Sequence, residues 1–210
     1  MNITIFSDFA CPFCYIGKSR LSRVMKENYP DIEFDIKYVS YQLQPELESN
    51  GKPYLDNIVE QRHITKSQAM EIFHSINEFA VEENLVLDLE KMVLANTFNA
   101  HRLHKYAAYN KLENEVYDRI MEAYFGNGKD ISDFQVLTEI AVSAGLPEEE
   151  AREVLEMNTY ADEVFFDKMD IEKGSITSVP LFIFGNKYVV TGAQSEEIFI
   201  DVIKTTLEEE

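Results

Sequence analysis

Cys11 and Cys14 are the two cysteines of this 210-residue chain, and they stand together as Cys11-Pro12-Phe13-Cys14. At that spacing two thiols share one helical turn and can close a small disulfide ring. The attacking species in disulfide exchange is a thiolate, and a helix N-terminus favours the thiolate over the thiol. A first cysteine at a helix start would attack a disulfide, or accept attack when the pair is oxidised. A second cysteine one turn further would resolve the mixed disulfide intramolecularly. Two other readings compete. Half of a zinc site would need two more ligands, and His101 and His104, three residues apart, could supply them. Histidines at such spacing more often cap or pack on a helical surface. A buried, inert cysteine pair would need neither Pro12 nor a helix start.

The elements that must hold the pair are legible around it. Residues 2 to 7 read as a short apolar strand, and Asp8-Phe9-Ala10-Cys11-Pro12 as a turn. Pro12 suits the first turn of a helix, where its missing N–H costs nothing. That helix is expected over about 12–27, burying Ile16, Leu21, Val24 and Met25, until Tyr29-Pro30-Asp31 breaks it. Ile32, Phe34, Ile36 and Tyr38 then alternate with Glu33, Asp35 and Lys37, which predicts a half-buried strand. Two strands joined by a crossover helix are expected to be parallel.

Residues 41–59, with Pro45, Gly51 and Pro53, read as a connecting loop, and helical period dominates 60–174. Thr65 and Gln68 form a capping box ahead of an apolar face of Ala69, Ile72, Phe73, Ile76, Phe79 and Ala80. Helices are expected over roughly 90–110 and 112–125. Ser132 and Gln135 read as a second capping box, for a helix that Gly145 stops. Pro147 opens a short helix, and a further one from Thr159 or Ala161 ends near Gly174. Strands return with Pro180–Phe184, a turn at Gly185-Asn186, and Lys187–Thr191. Ser195 is a good N-cap for a last helix with Glu196 and Glu197 in its first turn. The order is β-α-β, a helical block, then β-β-α. This predicts an α/β fold in which 1–40 and 175–210 form one mixed-sheet core and 60–174 is an all-helical insertion. Disorder is expected at Glu208, Glu209 and Glu210 only.

The formal charge of −19 argues against nucleic acid as a partner, because phosphate contacts need clustered Lys and Arg. It suits a well-solvated surface, or a preference for basic partners. No run reaches the length of a membrane span. Met1-Asn2-Ile3-Thr4-Ile5-Phe6 has no basic region and does not read as a signal peptide. A cytoplasmic location is therefore expected, where two close cysteines are poor candidates for a structural staple. The exchange chemistry needs no organic cofactor and no metal.

Val179-Pro180 is the second feature. Alone it reads as an ordinary strand opener, although a proline can also be cis in a tight turn. A Cys-x-x-Cys beside a βαβ pattern, followed by a hairpin and helix, matches the thioredoxin plan. On that plan a cis proline faces the cysteines.

The chain resembles the DsbA family of thioredoxin-like proteins, in its FrnE-like, cytoplasmic branch. The resemblance rests on Ser7-Asp8-Phe9-Ala10-Cys11-Pro12-Phe13-Cys14-Tyr15-Ile16-Gly17-Lys18 and on Asn96-Thr97-Phe98-Asn99-Ala100-His101-Arg102-Leu103. It rests also on Tyr124-Phe125-Gly126-Asn127-Gly128-Lys129-Asp130-Ile131 and on Val179-Pro180 with Gly192-Ala193-Gln194. It implies a thioredoxin fold with a helical insertion and Pro180 in cis. It implies dithiol–disulfide exchange of the oxidase or isomerase type, with Cys11, Cys14 and Pro180 catalytic and Pro12, Phe13 and Val179 against the substrate. Protein or small-molecule disulfides are the implied substrates, with glutathione a candidate partner and no membrane involved. One departure matters. Strong oxidants of the family carry histidine where this chain has Phe13, which can donate neither a hydrogen bond nor positive charge to a thiolate. A less oxidising pair is expected.

Rival readings stay open. Kappa-class glutathione transferases and hydroxychromene carboxylate isomerases share the fold and the insertion, but typically keep a single Ser or Cys at the first position. Cys14 is the feature they do not need. A scaffold with an idle site is the other rival, since fold does not fix function. Asn96, Asn99, His101, Arg102 and His104 either line a polar wall facing the cysteines or only tie the helical block down. Tyr41-Gln42-Leu43, Phe9, Phe13, Tyr15 and Phe125 either form an apolar rim for a peptide or belong to the core.

Overall fold

The computed structural model describes residues 1–209, Asp170 by its backbone alone, and the expectation for Glu210 lies outside the described residues. The apolar opening forms β1 (Asn2–Ser7), with Ile3 and Ile5 buried. Helix α1 (Pro12–Asn28) follows, with Pro12 in its first turn, and leads to β2 (Asp35–Ser40). β2 pairs parallel with β1 from Asn2↔Asp35 to Ser7↔Ser40. The strand expected from Ile32 begins only at Asp35. Ile32 is exposed and its N–H donates to the Tyr29 carbonyl at 3.1 Å, a turn that keeps it out of the ladder.

β3 (Leu181–Phe184) pairs antiparallel with β1, and β4 (Tyr188–Thr191) antiparallel with β3, so the order is β2-β1-β3-β4. Gly185 and Asn186 both have φ of +57°, and the Lys187 N–H donates to the Phe184 carbonyl at 3.0 Å. The three-residue connection 185–187 thus opens on two left-handed residues, whose twist matches that of the strands they join. Helix α9 (Glu196–Glu209) closes the chain and extends through Glu208 and Glu209, where disorder was expected. Phe199 stands edge-on to Phe182, with ring centroids 5.2 Å apart. This is the thioredoxin fold, β-α-β and β-β-α in one mixed sheet.

Gly17 marks a close approach of α1 to that sheet. A Cβ there would lie 3.2 Å from Phe182 Cζ and 3.3 Å from Ala193 Cα. Branched side chains overfill such a site. Gly17→Val is expected to cost about 1–3 kcal/mol, read as a lower urea midpoint. An unchanged midpoint would contradict this packing.

The chain divides into two compact units, Met1–Tyr41 with Asp167 onward, and Gln42–Phe166. The second holds α2 (Tyr54–Arg62), α3 (Lys66–Glu82), α4 (Phe98–Tyr109), α5 (Glu113–Met121), a π-helical turn (Glu122–Gly126), α6 (Phe134–Ser143) and α7 (Glu148–Glu156). α8 (Ala161–Lys173) starts in this unit and ends in the first. Several boundaries differ from expectation. The stretch 41–59 is not all loop, because α2 begins at Tyr54 behind Pro53. The first unit resumes at Asp167, inside α8.

The helix expected over 90–110 begins only at Phe98. Before it, Tyr54 N–H donates to Met92 O and Leu94 N–H to Lys52 O, both at 2.9 Å, and Val93 bridges Pro53. These segments satisfy one another's backbone groups as a short strand pair would. Leu87 with Leu89, and Met92 with Leu94, are buried two apart, as in extended chain and not as on one helix face. The capping box at Thr65 and Gln68 forms in both directions, at 3.2 and 2.9 Å. The one expected at Ser132 and Gln135 does not. Asp133 caps α6 by accepting from Val136 N–H at 3.0 Å, while Ser132 Oγ donates to Asp130 at 2.6 Å.

Candidate redox site

β1 ends at the buried Ser7, the buried Asp8 follows it, and the chain must turn there to enter α1. Asp8 makes the turn. Its carbonyl accepts from Cys11 N–H at 3.1 Å and its Oδ1 from Ala10 N–H at 3.3 Å. Cys11 is the N-cap of α1, in extended conformation, and its side chain makes no capping bond. Its carbonyl accepts from Cys14 N–H at 3.0 Å and Tyr15 N–H at 3.4 Å. The sulfur of Cys11 thus sits at the open end of a helix, where backbone N–H groups point outward.

Opposite it lies the segment before β3. The Cys11 thiol is directed at the Val179 carbonyl, with Sγ and oxygen 3.8 Å apart. The Val179–Pro180 peptide bond is cis. The Pro180 carbonyl accepts from Gly192 N–H at 2.8 Å, which fixes the segment to the far end of the hairpin. Val179 packs against the buried group of Phe6, Val39, Ile171 and Leu181. The structure therefore brings Cys11, Cys14, Val179 and Pro180 together within one unit. Pro12 is half-buried, and Phe13 is 37% exposed.

The two thiols are unequal. Cys11 retains 7% of its surface and Cys14 only 1%. Burial pushes the Cys14 thiol well above the ordinary 9.0, and its hydrogen bond with Cys11 and the charge of Cys11 push the same way. The Asp8 backbone and the Ser7 side chain pull against this by hydrogen bonding to Cys14. Cys14 is therefore a protonated thiol at neutral pH. At pH 7 to 8 in the reduced protein, iodoacetamide is expected to label Cys11 and leave Cys14 unmodified. Peptide mapping that found Cys14 labelled first would contradict this ordering.

A pH effect follows. The native state keeps a proton on Cys14 that the unfolded chain releases near the ordinary thiol value. The raised folded-state pKa therefore contributes stability fully below about 9.0, and this is lost as the pH rises through that folded-state value. The reduced protein is expected to lose stability above about pH 9, and Cys14→Ala to lose less over the same range. Denaturant titrations from pH 7 to 10 read this directly.

The sequence placed Asp8 in the turn and Ser7 at the strand end, but gave neither a part beside Cys14. Arg20 is a further unassigned residue. It is buried on α1, and its Nη1 donates to Ala193 O at 3.3 Å and Gln194 O at 2.8 Å. It thereby holds the Gly192-Ala193-Gln194 turn against the helix that carries the cysteines. Arg23 adds an ion pair to Glu196 at 2.8 Å.

The polar residues at 96–104 fasten the helical unit internally. Asn96 Nδ2 donates to Pro45 O at 3.1 Å and Leu47 O at 2.9 Å, and its Oδ1 accepts from Phe98 N–H at 2.9 Å. Asn99 accepts from Arg102 Nη1 at 2.7 Å, and His104 Nε2 lies 3.0 Å from the Glu113 carbonyl. Of the aromatics weighed as a peptide rim, Phe9, Tyr15 and Phe125 are buried core residues, while Phe13 and Leu43 are exposed. Among the described residues no three His, Cys, Asp or Glu side chains converge as a metal site requires. No helix among them is long and apolar enough to cross a membrane.

Comparison with known proteins gives the family and agrees with the fold. The DSBA-like thioredoxin domain matches residues 2–204. The uncharacterized protein YwbO of Bacillus subtilis is 29% identical over 202 residues, 95% of this chain and 94% of that one. The crystal structure of a probable DsbA oxidoreductase from Streptomyces coelicolor superposes with a TM-score of 0.93 at 29% identity, covering 100% of this chain and 91% of that one. The cytosolic disulfide reductase DsbM from Pseudomonas aeruginosa, solved with GSH, shares the fold at a TM-score of 0.69 and 16% identity, over 99% of this chain and 100% of its own. With a match across nearly its whole length, the chain belongs to the DSBA-like thioredoxin domain family of thiol–disulfide oxidoreductases.

Proposed function

We propose that this chain carries out dithiol–disulfide exchange of the oxidase or isomerase type, with Cys11 as nucleophile and Cys14 as resolving thiol. One observation carries the reading: the more accessible cysteine is the N-cap residue of a helix and its thiol is directed at the Val179 carbonyl, while a buried, protonated thiol lies one turn behind it. In one direction the Cys11 thiolate attacks a substrate disulfide, forming a mixed disulfide and releasing one substrate thiolate. Cys14 then gives up its proton and attacks the Cys11 sulfur, releasing the second substrate thiol. The protein ends oxidised and the substrate reduced. Run in reverse, the same two steps oxidise a substrate dithiol.

Pro12, Phe13 and Val179 border the sulfur and hold the substrate in this reading. Phe13 offers an exposed apolar surface, and the Val179 backbone can pair with an extended peptide by strand addition. Pro180 shapes that groove. Residues 60–174 act as the helical insertion of the thioredoxin core. The substrates are protein or small-molecule disulfides, with glutathione as a partner, and the site of action is the cytoplasm, in the FrnE-like branch of the family. Cys14 argues against the glutathione-dependent isomerases, whose one-thiol chemistry does not use it.

The test incubates the reduced protein with oxidised glutathione and resolves the products by mass spectrometry. Intramolecular exchange leaves both cysteines blocked, two glutathione thiols released and no adduct on the protein. A lasting glutathione adduct on Cys11, with Cys14 still open to alkylation, would instead favour a glutathione-dependent transferase or isomerase with one-thiol chemistry.

A further inference from the structure

Arg20 is a buried cation on α1 that the two exchange steps do not use. Taking a guanidinium out of water is costly unless hydrogen bonds compensate it. Here they are spent on one turn, Gly192-Ala193-Gln194, through Ala193 O at 3.3 Å and Gln194 O at 2.8 Å. The turn is braced from within as well. Gly192 takes a left-handed φ of +79°, which favours glycine. The Gln194 N–H donates to Gly192 O at 3.0 Å, and its Nε2 donates to Thr191 O at 2.7 Å. Ala193 packs close to α1, since a Cβ on Gly17 would lie 3.3 Å from its Cα.

These contacts close a ring within the first compact unit. Cys11 caps the start of α1, and Arg20 lies further along the same helix. Arg20 holds the turn, the Gly192 N–H holds the Pro180 carbonyl at 2.8 Å, and the Val179 carbonyl comes back to Cys11 Sγ at 3.8 Å. That last link is a long thiol contact and a weak one. The distance from the sulfur to the Val179 backbone is therefore set by the other links, of which Arg20 supplies the charge-assisted one. We infer that Arg20 is a positioning residue that sets the reach between Cys11 and the Val179 backbone, and with it a preference for disulfides borne on extended peptides, an assignment that rests on the dithiol exchange proposed for Cys11 and Cys14. An extended peptide must pair with the backbone at Val179 while its sulfur meets Cys11. A small disulfide needs only the sulfur. A misplacement of about 1 Å costs a positioned reaction as much as about a hundredfold.

The test compares two probes on the reduced full chain, hydroxyethyl disulfide and a flexible peptide whose single cysteine is capped with mercaptoethanol. Oxidation of the protein is followed by acid quench and mass, and the readout is the ratio of the two rate constants. The wild type is expected to react faster with the peptide. Arg20→Met is expected to lower the ratio about tenfold. Arg20→Lys should recover part of it, because an ammonium keeps the charge but not the planar fork. Arg23→Met removes an ion pair between α1 and α9 without touching the turn, and is expected to keep the wild-type ratio. A general loss of stability slows both probes alike, so the ratio separates positioning from packing. Gln194→Ala frees the Thr191 carbonyl with Arg20 intact, is expected to lower the ratio as well, and decides the matter if Arg20→Met does not fold. An unchanged ratio in Arg20→Met or in Gln194→Ala, or an equal fall in Arg23→Met, would overturn the inference while leaving the exchange chemistry standing. A wild type that exchanges with neither probe would overturn both.

Discussion

Cys14→Ser is expected to stall the protein as a mixed disulfide. Cys11 in this variant still caps α1 and still reaches a substrate disulfide, so the first step proceeds. The second step needs a sulfur at position 14, and serine cannot supply it. The substrate therefore stays attached to Cys11, visible as a mass increase under non-reducing conditions and removable by dithiothreitol. Cys11→Ser is expected to behave differently. The remaining thiol is 1% exposed, and burial, the largest cause of its raised pKa, persists in this variant, so below about one part in a hundred is thiolate at pH 7. Exchange should fall by on the order of a hundredfold or more, with no trapped adduct. Equal trapping by both variants would contradict the division of labour between the two sulfurs.

Arg102→Met is expected to be the most damaging single change in the helical unit. Arg102 is almost fully buried on α4. Its Nε donates to Thr159 O at 2.9 Å, its Nη1 reaches Leu155 O at 3.3 Å, and its Nη2 donates to Val154 O. These carbonyls lie at and just beyond the C-terminal end of α7, where a cation is favoured by the exposed carbonyl dipoles. Asn99 aims the guanidinium, and the Phe98 ring lies 5.8 Å from it. Methionine fills much of the volume but leaves buried acceptors unpaired, at about 1–3 kcal/mol each. A loss of about 3 kcal/mol is expected, lowering Tm by roughly 6–12 °C for a chain of this size. Arg102→Lys should recover only part of it, because an ammonium cannot reproduce the planar fork. A Tm within a degree or two of wild type would show that these bonds hold little.

The framework of the site was legible because it is local. The strand before Cys11, the proline in the first turn, the hairpin at Gly185-Asn186 and the last helix each follow from residues close in sequence. No periodicity encodes the placing of Val179 opposite Cys11, 168 positions away; the sequence offers only a proline at 180 that on the thioredoxin plan is cis and faces the cysteines. The misses share one cause, a distant partner overriding a local pattern. Residues 87–94 carry an apolar spacing that suits a helix poorly, and Lys52 and Tyr54 claim their backbone groups. Ser132 has the chemistry of a cap, but Asp133 and Asp130 take the roles that matter. Phe9, Tyr15 and Phe125 could have bordered a groove or filled a core, and burial alone decides between the two. Arg20 gave no signal at all, because its carbonyl partners at 193 and 194 lie at the other end of the chain.

The central claim is a reversible Cys11–Cys14 couple, and its reduction potential is the most direct test. The protein would be equilibrated in glutathione buffers of graded ratio, its thiols trapped by acid and alkylation, and the oxidised fraction read by mass. The expected result is a two-electron transition at about −120 to −200 mV, in the range of oxidases and isomerases. A transition near about −270 mV would keep the exchange but overturn its direction in favour of a reductase. Absence of any intramolecular disulfide, with only Cys11 reacting, would contradict dithiol chemistry outright.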